Sequence, residues 1–87
     1  MRYRAEILGK VPYGLTHNDV FASINSMMRE RPGTESVTKR RLAGNMVSII
    51  VVFEDKDIHS AKRIMQYVST SVNGFSADVI GPREIRG

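Results

Sequence analysis

Hydrophobic spacing along this chain switches between two residues and three to four, and each switch marks a new element. From Arg2 to Gly9, the residues Tyr3, Ala5 and Ile7 alternate with Arg2, Arg4 and Glu6, the period of a strand with one buried face. Lys10–Leu15 reads as a loop, broken by Pro12 and Gly14. Thr16 stands at the N-cap position of a helix, with Asp19 three residues on as a short-armed capping box. Val20, Phe21, Ile24, Met27 and Met28 then form one helical stripe, and Pro32-Gly33 stops it. Thr34–Ala43 is polar and β-branched, an edge strand whose Lys39-Arg40-Arg41 run discourages edge-to-edge pairing. Gly44-Asn45 is a two-residue hairpin signal before Met46–Phe53, which is apolar nearly throughout, as a central strand is. Asp55 or Asp57 caps a second helix with Ile58, Ala61, Met65, Val68 and Val72 on its inward stripe, stopped by Asn73-Gly74. Phe75, Ala77 and Val79 alternate in a last strand that Gly81-Pro82 closes.

This βαββαβ order predicts an α+β fold of the ferredoxin-like type, a four-stranded antiparallel sheet with two helices on one face. One domain spans residues 1–82, and 83–87 form a loose C-terminal tail. If the alternating residues named above face the helices, the other sheet face carries Arg2, Arg4, Glu6 and Leu8, then Met46, Ser48, Ile50 and Val52, then Ser76, Asp78 and Ile80. Its centre (Leu8, Ser48, Ile50, Val52 and Ile80) reads as an apolar patch rimmed by charge, the usual mark of a contact surface.

Composition narrows the classes. The 87 residues are 41% hydrophobic and 25% charged, an ordinary globular balance. There is no cysteine, so disulfides, thiolate metal sites and cysteine nucleophiles are excluded. The longest apolar run, Ile49–Phe53, is far short of the ~20 residues of a membrane helix. The first residues enter a strand directly, without an apolar leader, so a cytoplasmic protein with no membrane contact is expected. Charge is uneven: residues 1–45 hold eight basic and four acidic side chains, residues 46–87 five of each. A basic surface of Arg2, Arg4, Lys39, Arg40 and Arg41 would suit a phosphate backbone, which makes nucleic acid an alternative partner.

Two family resemblances attach to particular segments. Leu8–Thr16 with Asp19-Val20, and Val51–Asp55 with Ser60-Ala61-Lys62, look like parts of an RNA-recognition motif. The resemblance implies the same topology and places Ile7 on strand one, and Ser48 and Ile50 on strand three, where that family stacks bases on aromatic rings. None of the three is aromatic, so the likeness implies shared fold more than shared activity. The same register would turn Glu6 toward the helices. Gly9–Gly14 also resembles the anion-binding loop of acylphosphatases, which implies a phosphate site there. That family's arginine is missing from Leu15-Thr16-His17-Asn18, and Asn45 stands in a turn. As a whole, the compact, basic, cysteine-free chain resembles small proteins of actinobacteria and their phages, which implies docking on a host protein.

One further cluster follows from topology. With strands one and three taken as parallel neighbours, both helices begin at the same sheet edge, bringing His17 and Asp19 toward Asp55, Asp57 and His59. Such a group suits anion or metal binding or acid–base chemistry, although helix capping accounts for the aspartates and no HxH or HExxH spacing is present. Taken together, the sequence predicts a non-enzymatic interaction module without cofactor or metal. It is expected to be a homo-oligomer, a dimer foremost, packed through its sheet and docking on a protein. A nucleic-acid binder is the alternative, and an acylphosphatase-like or metal-dependent enzyme the third reading.

Overall fold

The computed structural model describes residues 1–86. It contains β1 (Arg2–Lys10), α1 (His17–Glu30), β2 (Thr34–Arg41), β3 (Met46–Glu54), α2 (Ile58–Thr70) and β4 (Ser76–Ile85). The strands lie in the order β2-β3-β1-β4, with each neighbouring pair antiparallel. This is the ferredoxin-like sandwich that the alternation predicts. Among the described residues, no helix is long and apolar enough to cross a membrane.

The core is where the two periods meet. Tyr3, Ala5 and Ile7 of β1 and Val47, Ile49, Val51 and Phe53 of β3 are buried beneath Val20, Ile24 and Met28 of α1 and Ala61, Met65 and Val68 of α2. Phe75 is also buried, while Ala77 and Val79 on the edge strand β4 are half-buried. Of the methionine pair, Met28 is in the core and Met27 packs on its margin. The interior of the sandwich is filled by aliphatic and aromatic side chains, with Tyr3 and Phe53 rings tilted at 6.0 Å between centroids.

The helix ends follow from their residues. The Thr16 hydroxyl accepts from the Asp19 N–H at 3.1 Å while the Asp19 carboxylate accepts from the Thr16 N–H at 2.8 Å, completing the capping box. Asp57, not Asp55, caps α2, its Oδ1 accepting from the Ser60 N–H at 2.8 Å. α1 stops where Pro32 forces Arg31 into extended backbone (φ −97°, ψ 143°). α2 ends at Thr70, before Asn73-Gly74, and Val72 packs into the core from the turn that follows.

Three expectations are corrected. The β2–β3 connection is wider than a two-residue hairpin: Arg41 pairs with Val47, and the Leu42 N–H donates to the Met46 carbonyl across Ala43-Gly44-Asn45. The loose tail at 83–87 is instead the end of a strand as far as Ile85. The β1–β4 register shifts between Arg4 and Glu6, and Arg83, Glu84 and Ile85 then face Arg4, Tyr3 and Arg2. Gly-Pro ordinarily closes a strand, but a bulge removes the need for the proline N–H that the ladder lacks. Gly87 lies outside the described residues. Finally, β1 and β3 are antiparallel, with Arg2 beside Glu54 and Lys10 beside Met46. The chain therefore leaves these strands at opposite ends of the sheet, and α1 and α2 begin roughly 25–30 Å apart at 3.4 Å per residue. His17 and Asp19 do not meet Asp55, Asp57 and His59.

Candidate active site

At the end where β1 stops, the chain makes a turn that builds a cleft. The Leu15 N–H donates to the Pro12 carbonyl at 3.1 Å, closing a turn around Tyr13-Gly14. Gly14 holds φ +88°, the value that the third residue of such a turn requires and that glycine supplies without strain. The turn throws Tyr13 fully into solvent. On the other side, the Val11 N–H donates to the Asn45 carbonyl at 2.7 Å, tying this loop to the β2–β3 connection. Between them lies a cleft of about 710 Å³ lined by Lys10, Pro12, Tyr13, Leu15, His17 and Arg41 among others.

His17 is the one group in this cleft with the chemistry of a neutral base. It opens α1 directly after the cap, is half-buried, and places Nε2 at 3.1 Å from the Met46 carbonyl. A carbonyl only accepts, so the hydrogen bond puts the proton on Nε2 and leaves the Nδ1 lone pair free. Lys10 and Arg41 supply positive charge, and Pro12, Tyr13 and Leu15 supply apolar and aromatic walls. The anion-binding loop implied by the acylphosphatase likeness is not formed here. Within that stretch the Val11 N–H is already bonded to Asn45 and Pro12 has no N–H to offer, and no arginine opens α1.

The opposite end holds a different arrangement. His59 is exposed in the first turn of α2. The Asp57 carboxyl is held below the usual range, chiefly by the Ser60 N–H that it accepts. The Asp55 side chain is nearly buried beside Arg31 (Nη2 to Oδ2, 3.5 Å), whose guanidinium also lies 5.5 Å from the Phe53 ring centre. Burial of the Tyr3 ring, followed by the charges of Glu84, Asp57 and Asp55, raises its phenol above the ordinary tyrosine range. Among the described residues, no three His, Cys, Asp or Glu side chains gather to hold a metal ion.

The open sheet face differs from the greasy centre that the alternation suggested. Across the strands, one row reads Thr38, Ile50, Glu6, Ile80, the next Arg40, Ser48, Leu8, Asp78, and the row on the other side Ser36, Val52, Arg4, Arg83. Apolar, polar and charged side chains are thus mixed across the face rather than sorted into an apolar centre and a charged rim. Ser48 is only 1% exposed and its hydroxyl donates to the Glu6 carboxylate, which keeps that acid in the middle of the patch. Ile80 is the one member of the predicted patch that is strongly exposed, at 51%. Ile7 faces the core rather than the open side, and Glu6 faces away from the helices, so the register implied by the RNA-recognition likeness does not hold.

Nor do the five cations proposed for nucleic acid share a surface. Strand alternation sends Arg40 to the open face and Lys39 to the helix side, where its ammonium meets Asn18 and the Phe21 ring. Arg41 lines the cleft, and Arg2 is paired with Glu35 at 2.5 Å. Of the five, Arg4 and Arg40 are left on the open face without an acidic partner among the described residues, and they stand on β1 and β2, with β3 between them.

No family model matches the chain, and no curated protein matches its sequence. Its fold is found in solved structures. A crystal structure of a mutant form of SnoaB, a cofactor-independent oxygenase from Streptomyces nogalater, superposes with a TM-score of 0.68 at 18% identity, covering 99% of this chain and 94% of that one. A second structure of SnoaB, at 1.9 Å resolution, gives 0.66 at 16% identity, covering 99% and 93%. At this identity the likeness is one of fold. It nevertheless corrects the expectation of a non-enzymatic interaction module, with nucleic-acid binding as its alternative. The half-covered sheet from which that expectation was drawn is an architecture that an enzyme uses over nearly its whole length, so it does not argue against catalysis.

Proposed function

We propose that this chain is a small enzyme of the cofactor-independent oxygenase kind, working in the cleft between the β1–α1 loop and the β2–β3 connection. An oxygenase that uses no cofactor must take its electrons from the organic substrate. The protein's task is then to remove a proton from an oxidisable substrate and hold the resulting electron-rich anion for dioxygen. A phenol or an enolisable ketone has the required chemistry. The observation that carries this reading is the His17–Met46 hydrogen bond, which leaves Nδ1 as a base in the wall of the cleft. Lys10 and Arg41 stand where they would balance the charge of the anion, and Tyr13, Pro12 and Leu15 offer surface for its ring. The SnoaB likeness supplies the reaction class.

The test is oxygen uptake by the purified, chelator-treated protein with a panel of phenols and enolisable aromatic ketones, followed with an oxygen electrode. Uptake above the protein-free rate on at least one compound is expected. No uptake across the panel would overturn the proposal.

A further inference from the structure

On the open sheet face, at the end remote from the His17 cleft, two arginines stand directly opposite each other. Arg4 of β1 and Arg83 of β4 are register partners, which places their Cβ atoms roughly 4.5–5.5 Å apart on one face. Like charges in that relation repel, and neither arginine is neutralised by an ion pair. The ion pairs among the described residues are Arg2–Glu35, Arg31–Asp55 and Arg86–Glu84, and neither Arg4 nor Arg83 takes part. On the same face, Glu6 lies one row away with its carboxylate on the Ser48 hydroxyl, and Asp78 lies a row beyond it. Toward the other end the next row holds Glu54 and Arg2; Arg2 is paired with Glu35, and Glu54 forms no ion pair with Arg4 or Arg83.

The backbone beside this pair is shaped rather than merely irregular. The register shift between Arg4 and Glu6 falls at Gly81, which adopts φ +89° and sits so close to β1 that an added Cβ would lie 3.1 Å from the Arg4 carbonyl oxygen. The bulge opens a depression of about 280 Å³ lined by Arg4, Ile80, Gly81 and Arg83. Bulges commonly re-aim side chains next to binding sites. Here the result is two guanidinium forks at one wall and an exposed isoleucine at another.

We infer that the Arg4–Arg83 pair, beside the Gly81 bulge and Ile80, binds a small phosphate monoester. A dianion neutralises both guanidiniums at once, whereas a carboxylate leaves one of them uncompensated. Each fork can take two phosphate oxygens side by side, the geometry in which arginine exceeds lysine. The ester's organic group then rests on Ile80, so an aryl phosphate binds more tightly than inorganic phosphate. This site is independent of the oxygenase reading, since no residue is shared with the His17 cleft.

Thermal unfolding at constant ionic strength tests it, with phenyl phosphate, inorganic phosphate and chloride as the probes. In the wild type, the midpoint is expected to rise by roughly 5–10 °C for each tenfold increase in phenyl phosphate above its Kd. Inorganic phosphate should act only at higher concentration, and chloride not at all. Arg83→Gln and Arg4→Gln should each abolish the ligand-dependent rise while leaving the ligand-free midpoint equal or higher, because a repulsion is removed. Arg86→Gln, an exposed arginine outside the depression, should keep the full rise. A wild type that does not respond would overturn the site. So would a rise that persists in both Arg4→Gln and Arg83→Gln, which is what general exclusion of phosphate from the protein surface produces.

Discussion

Gly9 shows how much of this fold is decided by single side chains. It lies in β1 opposite Val47 on one side and Ala77 on the other, and a Cβ placed on it would fall 2.7 Å from the Ala77 Cβ and 2.8 Å from the Phe75 ring. Glycine at this place lets the Phe75 ring close the end of the core, next to the loop that forms the cleft. Gly9→Ala is therefore expected to cost about 1–3 kcal/mol, the usual range for overpacking. Urea unfolding measures it, and a change below about 0.5 kcal/mol would mean that the strands part easily there. Arg31 is the second such residue. It lies over Phe53 and forms the ion pair of the nearly buried Asp55 carboxylate, whose Oδ2 has no hydrogen-bond donor among the described residues. Arg31→Ala should destabilise by about 1–3 kcal/mol, and Arg31→Lys should recover only part of this, since an ammonium cannot stack flat on the ring. Equal stability of the alanine and lysine variants would contradict that account.

At the scale of elements, the two helices differ in how they begin. α1 has the reciprocal Thr16–Asp19 box, and α2 depends on Asp57 alone. The Ser60 N–H stabilises the ionised Asp57 and lowers its pKa in the folded chain. A group of this kind contributes stability that is present above its unfolded pKa, near about 3.9, and is lost as the pH falls through the lower folded value. Asp57→Asn should flatten the acid limb of a stability-against-pH profile below about pH 4 and leave its neutral region with the same slope. An unchanged acid limb would show that the cap does not titrate as described. These caps, like the hydrophobic stripes, could be read from the chain because they are local: Thr16 and Asp19 are three residues apart, and Val20, Ile24 and Met28 recur at the helical period. Strand direction is not local. The periodicity of Arg2–Gly9 and Met46–Phe53 is the same whichever way the strands run, and the parallel assignment wrongly joined His17 to His59. The path of β4 beyond Gly81-Pro82 was hidden for a related reason, because only pairing with Arg2–Arg4 turns that segment into strand.

For the whole molecule, the antiparallel β1–β3 pairing separates three regions of different chemistry. The His17 cleft occupies one end, the Arg31–Asp55 contact and the α2 cap occupy the other, and the open face carries a mixed pattern centred on the Glu6–Ser48 pair. His17 was recognisable in the sequence as a candidate acid–base group, but its real neighbours, Lys10, Tyr13 and Arg41, come from a turn and from the strand alternation of β2. The Pro12-Tyr13-Gly14 turn was the signal that pointed to them, since its proline and glycine mark a tight turn directly before the His17 helix. The same alternation divides Lys39-Arg40-Arg41 between two faces, so a run of charge along the chain is not a patch on the surface.

The two histidines at opposite ends provide the sharpest test of the catalytic account. With a substrate that supports oxygen uptake, rates are compared for His17→Gln and His59→Gln, both confirmed as folded by circular dichroism. The account predicts that His17→Gln loses about 10²–10⁴-fold in kcat, the usual contribution of a positioned base, while His59→Gln stays within about twofold of the wild type. Equal rates in the two variants would contradict it.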